Sequence, residues 1–233
     1  MTDTTLTAVP TTTLTLLEEQ QFTLSTPRRR AGLVARSLFV TMDALYGRRG
    51  TLQKFLVLEL VARVPYQTWE HAAYLSITRH ARDTQLSREI YRRVTQSRDQ
   101  QDNEQWHLFI LEDMLEHRGV DLGWFRFRLL PQIIAFGYYV VSWLMFVLRP
   151  EWSYRLNADF EDHAEHEYMA YVSEHPELAD EVCSCSVADD YGCPDNFGDV
   201  LRRIALDERH HRDESLDDLR RLAVERATQR RLS

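Results

Sequence analysis

Apolar residues recur along most of this chain with a helical period, and Pro and Gly mostly fall between the runs rather than inside them. After Pro27-Arg28-Arg29-Arg30, the positions Val34, Leu38, Met42 and Leu45 share one face, while Arg29, Arg36 and Asp43 recur every seventh residue on another. The pattern predicts an amphipathic helix ending at Gly47, packed either on a core or into a membrane interface. A second helix is predicted over about residues 51–79, kinked or offset at Pro65. A third, over about 84–117, begins polar and gains an apolar stripe of Trp106, Leu108, Ile110, Leu111, Met114 and Leu115, with Arg118-Gly119 as its stop.

The most apolar stretch is 129–148, bounded by Arg126, Arg128 and Arg149. Its length suits a membrane span. Pro131, Gln132, Tyr138, Tyr139 and Trp143 favour instead a helix half-buried in one leaflet, with a wholly buried core helix the third reading. A fifth helix starts after Pro150 and is crowded with charge around Asp159–Glu167, as a solvated face would be. A loop with Pro176, Gly192 and Pro194 precedes a final helix over about 198–226. The expected organisation is a disordered tail over 1–27, a single helical domain over 28–226 and a C-terminal tail over 227–233.

Composition narrows the classes. The net charge of −8 argues against a nucleic-acid partner. It also conceals a basic segment: Arg28, Arg29, Arg30, Arg36, Arg48, Arg49 and Lys54 stand against Asp43 alone between 28 and 54, which suits anionic lipid head groups. Cys183, Cys185 and Cys193 are odd in number and close in sequence, so a secreted disulfide framework fits poorly. A zinc site lacks an obvious fourth ligand nearby, and a reduced cytosolic loop is the simpler reading. The Thr-rich first 26 residues carry Glu18-Glu19 and no Arg or Lys, unlike a mitochondrial presequence. The expected location is therefore the cytoplasmic face of a bacterial inner membrane, ahead of a mitochondrial one.

Two segments carry chemistry. Glu104-Gln105-Trp106-His107 and Glu208-Arg209-His210-His211 are each a Glu-x-x-His, and three residues along a helix place both side chains on one face. In a chain with nine His, such pairs arise by accident, so two alone decide little. Context adds weight: each pair falls mid-helix and follows a helix bearing a Glu that needs explaining. Glu59 is the lone charge in Phe55–Ala62, where an unpaired carboxylate is costly. Glu161 lies seven residues before Tyr168 and shares its face. The order Glu, Glu-x-x-His, Glu, Glu-x-x-His is what a two-metal carboxylate bundle requires. Four carboxylates and two neutral imidazoles suit iron or manganese. Asn103 and Asp207, each one residue before the Glu of its pair, are placed to hold the imidazoles from outside.

Leu58-Glu59-Leu60-Val61-Ala62-Arg63-Val64-Pro65, Asn103-Glu104-Gln105-Trp106-His107-Leu108, Glu161 with Tyr168, and Asp207-Glu208-Arg209-His210-His211-Arg212-Asp213 together resemble the four signature boxes of the alternative oxidases, a family that includes the plastid terminal oxidases. The resemblance runs over about residues 31–220. It implies an all-α, ferritin-like four-helix bundle with two additional membrane-interface helices. It implies a non-haem di-iron quinol oxidase that reduces O₂ to water without pumping protons, attached to one leaflet of a lipid bilayer and often a homodimer. It assigns two Fe ions to Glu59, Glu104, His107, Glu161, Glu208 and His211, and places Tyr168 beside them as a redox or proton-transfer residue. Lys54 stands where many members carry a quinone-contacting Arg. Leu60 replaces a usual Thr, Glu167 a usual small residue, and Glu161 sits in Phe-Glu-Asp-His rather than a run of Glu. The same ligands would serve an oxygenase or desaturase acting on a lipid-borne substrate, or a non-catalytic metal-binding bundle.

Overall fold

A computed structural model describes residues 13–232. Among them the chain is all-α, with a single isolated bridge between Val182 and Asn196. The helices are α1 (Thr13–Ser25), α2 (Leu33–Tyr46), α3 (Leu52–Ala62), α4 (Val64–Arg79), α5 (Thr84–His117), α6 (Leu130–Leu148), α7 (Pro150–Glu174), the short α8 (Ala188–Tyr191) and α9 (Phe197–Leu232). The consecutive helices α3 and α4 pack with α5, and α7 pairs with α9, to make a four-helix bundle.

Local chemistry sets the boundaries. Thr51 caps α3 by accepting from the Lys54 N–H at 3.2 Å, and Asp83 caps α5 by accepting from the Leu86 N–H at 3.0 Å. Pro65 lies in the first turn of α4, where its missing N–H costs nothing, so the chain breaks at Arg63 instead of kinking one long helix. Gly47 and Gly119 close α2 and α5 with positive φ (97° and 62°), a conformation that disfavours any side chain.

Between α5 and α6 a π-helical turn, Phe125–Leu129, leads into the apolar helix. In α6 only Pro131, Tyr138 and Ser142 are buried, while Ile133, Phe136, Leu144 and Leu148 stand exposed. A wholly buried core helix is therefore ruled out. Leu33, Val34 and Val40 of α2 are exposed as well.

Two expectations are corrected. Residues 13–25 of the anticipated tail form α1, docked on α7 and α9; residues 1–12 lie outside the described residues. Leu16 is buried, Gln20 donates to the Met169 carbonyl at 2.9 Å, and Thr23 donates to Glu165 at 2.7 Å. At the other end, α9 continues as helix through Leu232, across most of the segment taken as a C-terminal tail.

The charged face of α7 is also not solvated. Asp159, Asp162 and Glu165 are buried. They are answered by the Arg29 and Gly32 N–H groups, at 2.8 and 2.9 Å, and by Arg209 and Arg212 of α9, each within 2.9 Å of Glu165. Buried charge persists where it is paired and hydrogen-bonded, and here the pairs fasten α1, α7 and α9 together.

Candidate metal centre

Six side chains from four helices meet at the middle of the bundle. Glu59 comes from α3, Glu104 and His107 from α5, Glu161 from α7, and Glu208 and His211 from α9. All six are 0–3% exposed. The Glu-x-x-His spacing brings each pair onto the inward face of its helix, as the sequence predicts.

The ligand atoms sort into two groups, each with its donors within 4.8 Å of one another. One is Glu59, Glu104, His107 and Glu208; the other is Glu104, Glu161, Glu208 and His211. Glu104 and Glu208 belong to both. Two adjacent ions could be held here, one on the side of Glu59 and His107 and one on the side of Glu161 and His211, with Glu104 and Glu208 within reach of both.

Hydrogen bonding tests whether a cation fits. Both oxygens of Glu104, both of Glu208, Glu161 Oε2 and His211 Nδ1 are buried without a hydrogen-bond partner. His211 Nδ1 stands 2.8 Å from Glu104 Oε1, and His107 Nδ1 3.1 Å from Glu208 Oε1, yet neither contact is aligned as a hydrogen bond. Native interiors leave few polar atoms unsatisfied, and six at one point need an explanation. Four carboxylates carry four negative charges, which two divalent cations neutralise. The residues fit a pair of iron or manganese ions.

Around this set lie the groups that orient it. Asp207 Oδ2 is 3.2 Å from His107 Nε2, so it serves the imidazole of the facing α5 rather than that of its own segment. Asn103 Nδ2 donates to the same Asp207 oxygen at 3.4 Å and so reaches His107 only through it. Tyr168 is fully buried, donates to Glu59 Oε1 and stacks on Phe55 at 4.3 Å. Lys54 is buried away from the ligands; its Nζ donates to Asp43 at 2.7 Å and to the Gly47 carbonyl at 3.0 Å.

Two residues of the centre had not been singled out from the sequence. Tyr66 of α4 donates to Glu161 Oε1 at 2.8 Å and accepts from Asn157 Nδ2 at 3.0 Å. Tyr191 of α8 donates to Asp207 at 2.5 Å. Each terminal carboxylate thus has a buried tyrosine from the other half of the bundle: Tyr168 of α7 for Glu59 of α3, and Tyr66 of α4 for Glu161 of α7.

Burial sets the protonation. It is the largest influence on Glu104, Glu161 and Glu208, pushing Glu104 up to about 8 and the other two well above the usual carboxylate range, and the neighbouring carboxylates add to the rise. Burial also lowers His211, keeping its imidazole neutral as a metal ligand must be. On His107 burial opposes the charged form, but Tyr191, Asp207 and the glutamates outweigh it and raise the pKa. A bound cation inverts this balance and expels the protons.

The pH dependence of the metal-stripped protein follows. Its Glu104 keeps a proton to about pH 8, whereas the unfolded chain releases it near 4.5, the ordinary value of a glutamate. The folded state therefore holds more protons across that window, and stability falls as pH rises through it. Thermal melts of chelator-treated protein should show a lower Tm at pH 8 than at pH 5.5, with anaerobic ferrous iron restoring stability most at the higher pH. A Tm that rises over that interval without metal contradicts the protonated centre.

Comparison with known proteins agrees with this geometry. The sequence profile of the family described as Alternative oxidase matches residues 17–217. A curated relative, the chloroplastic/chromoplastic ubiquinol oxidase 4 of Arabidopsis thaliana, is 33% identical over 138 residues, which cover 58% of this chain and 35% of the relative. The aligned region is thus about a third of that relative's length. With a family match across most of its length, this chain belongs to the alternative oxidase family.

Proposed function

We propose that this protein is a quinol:oxygen oxidoreductase, oxidising two membrane quinols for each O₂ reduced to two waters, at a di-iron centre held by Glu59, Glu104, His107, Glu161, Glu208 and His211. The observation that carries the reading is the sharing of Glu104 and Glu208 between two complete ligand groups, with Tyr168 bonded to a terminal ligand. When bound, an iron pair would supply the redox couple through which the four electrons of two quinols reach O₂.

The protein's own groups do the rest. Near-complete burial of the ligands excludes bulk water, which strengthens every charge interaction in the site. Burial and the Glu59 carboxylate hold the Tyr168 phenol protonated, so its hydroxyl has a proton to pass along the bond it already makes to that ligand. Asp207, itself fixed by Tyr191, sets the orientation of His107. Lys54 is the cation assigned to the quinol headgroup. Its ammonium has three donors and spends two on Asp43 and Gly47, leaving one for a quinol oxygen.

Quinol is proposed to arrive from one leaflet between α2 and α6, the helices whose apolar side chains are exposed, with the protein on the cytoplasmic face of a bacterial inner membrane as a homodimer. The 24-residue apolar helix Phe125–Leu148 is long enough to cross a membrane but carries Arg126 and Arg128 in its first turn and is followed by Arg149, which suits a helix lying in the interface. The replacements Ile133→Glu and Phe136→Glu should together weaken binding to anionic vesicles in flotation roughly a hundredfold or more, because each apolar side chain kept from lipid forfeits ~1.5–3 kcal/mol. Unchanged flotation would remove α6 from the contact.

Function itself is tested by O₂ uptake of purified protein supplied with a short-chain ubiquinol in the presence of cyanide. Uptake with quinol as sole reductant supports the proposal. Metal-replete, folded protein that consumes no O₂ under those conditions refutes it.

A further inference from the structure

Outside the bundle core, a second set of ligand atoms converges at Cys183, Cys185 and Cys193. Their three sulfurs lie within 4.8 Å of one another, with the Cys183 and Cys185 sulfurs 2.9 Å apart. That separation far exceeds the ~2.05 Å of a disulfide. All three cysteines are free and half-buried, packed against the core.

The backbone builds this convergence. Two arms of the α7–α9 connection pair through Cys183 N–H to the Asp195 carbonyl at 2.8 Å and Phe197 N–H to the Glu181 carbonyl at 3.0 Å. Residues i and i+2 of an extended arm face the same side, which aligns Cys183 with Cys185. On the returning arm, Gly192 ends α8 in the left-handed region at φ 70°, and the Cys193 N–H donates to the Ala188 carbonyl at 2.9 Å. This turn swings Cys193 back over the other two.

We propose that Cys183, Cys185 and Cys193 bind a thiophilic d¹⁰ cation of the Zn²⁺ class through three thiolates, with the fourth position left to water. Thiolates select such ions, and three protein ligands with one open position is an established zinc geometry. Three thiolates and one divalent cation leave a net negative charge. Arg203 is positioned beside it: its guanidinium lies 4.7 Å from the Tyr191 ring centroid and donates to the Gly192 carbonyl, next to Cys193.

The ion would staple the segment that delivers Tyr191. Tyr191 is two residues from Cys193 and bonds Asp207, which bonds His107. The role assigned to the ion is to hold that segment in place, and it does not depend on what the di-metal centre catalyses.

Cobalt distinguishes this site from the carboxylate centre, because only thiolate ligands give an intense near-ultraviolet sulfur-to-cobalt charge-transfer band. Reduced, full-length, iron-loaded protein is titrated with Co²⁺. The band should appear, saturate at one equivalent and disappear on adding Zn²⁺, and it should be absent from the C183S/C185S/C193S protein. If that variant does not fold, Cys193→Ser with an intact helical circular-dichroism spectrum should show a weakened band. Folded, reduced wild-type protein with no band overturns the proposal, as does a band unchanged in either variant.

Discussion

Replacing Glu208 by Ala should abolish quinol-dependent O₂ uptake and reduce iron content from two ions per chain to one or none. Glu208 belongs to both ligand groups, so its loss removes a donor from each metal at once. Once the ions are lost, Glu59, Glu104 and Glu161 are left without the positive charge that their burial requires. Loss of an outer partner such as Asp207 typically costs about 10- to 100-fold in metal affinity, and loss of a shared ligand should exceed that range. Glu104→Ala should behave alike, since it occupies the same shared position. Circular dichroism controls for folding, and iron is counted on the purified protein. A folded Glu208→Ala variant that keeps two irons and its turnover would remove Glu208 from the ligand set.

Tyr168→Phe should separate metal binding from turnover. The substitution removes one hydroxyl and preserves the ring, so stacking on Phe55 survives. Glu59 keeps its 3.2 Å contact with His107 and loses only the phenol's hydrogen bond. Iron content should therefore stay near two per chain, while quinol oxidation falls by about 10²- to 10⁴-fold, the range for a positioned proton-transfer group. Tyr66→Phe is the informative companion. Tyr66 makes the corresponding bond to Glu161 but is also tied to Asn157, so its loss should act first on the Glu161 side of the centre. Equal turnover in wild type and Tyr168→Phe would take Tyr168 out of the chemistry and leave it a packing residue.

Much of this arrangement is legible in the sequence because its signals are local. Pro65, Gly47, Gly119 and Pro150 sit at helix boundaries, and the predicted third helix coincides with α5. The Glu-x-x-His spacing announces its own geometry, and Glu59 is conspicuous as a charge within an apolar run. The residues that escaped depend on distant partners. α1 docks through Leu16 together with Gln20, Thr23 and Glu19, so a single buried leucine among polar contacts leaves no apolar stripe to read. The acids of α7 look solvated until Arg29, Arg209 and Arg212 are folded against them. Tyr66 follows Glu59 by seven residues, but the break at Arg63 means that helical spacing does not carry across, and its partner lies on α7. Tyr191 ends the four-residue α8, which is too short for a periodicity to point inward, and the folding of the cysteine segment delivers it to Asp207.

The measurement that bears most directly on the centre is anaerobic titration of metal-stripped protein with ferrous iron. Two overlapping ligand groups predict saturation at two equivalents, with protons released as the buried glutamates ionise. Saturation at a single equivalent, or no tight binding by folded protein, would contradict a paired-metal site built on Glu104 and Glu208.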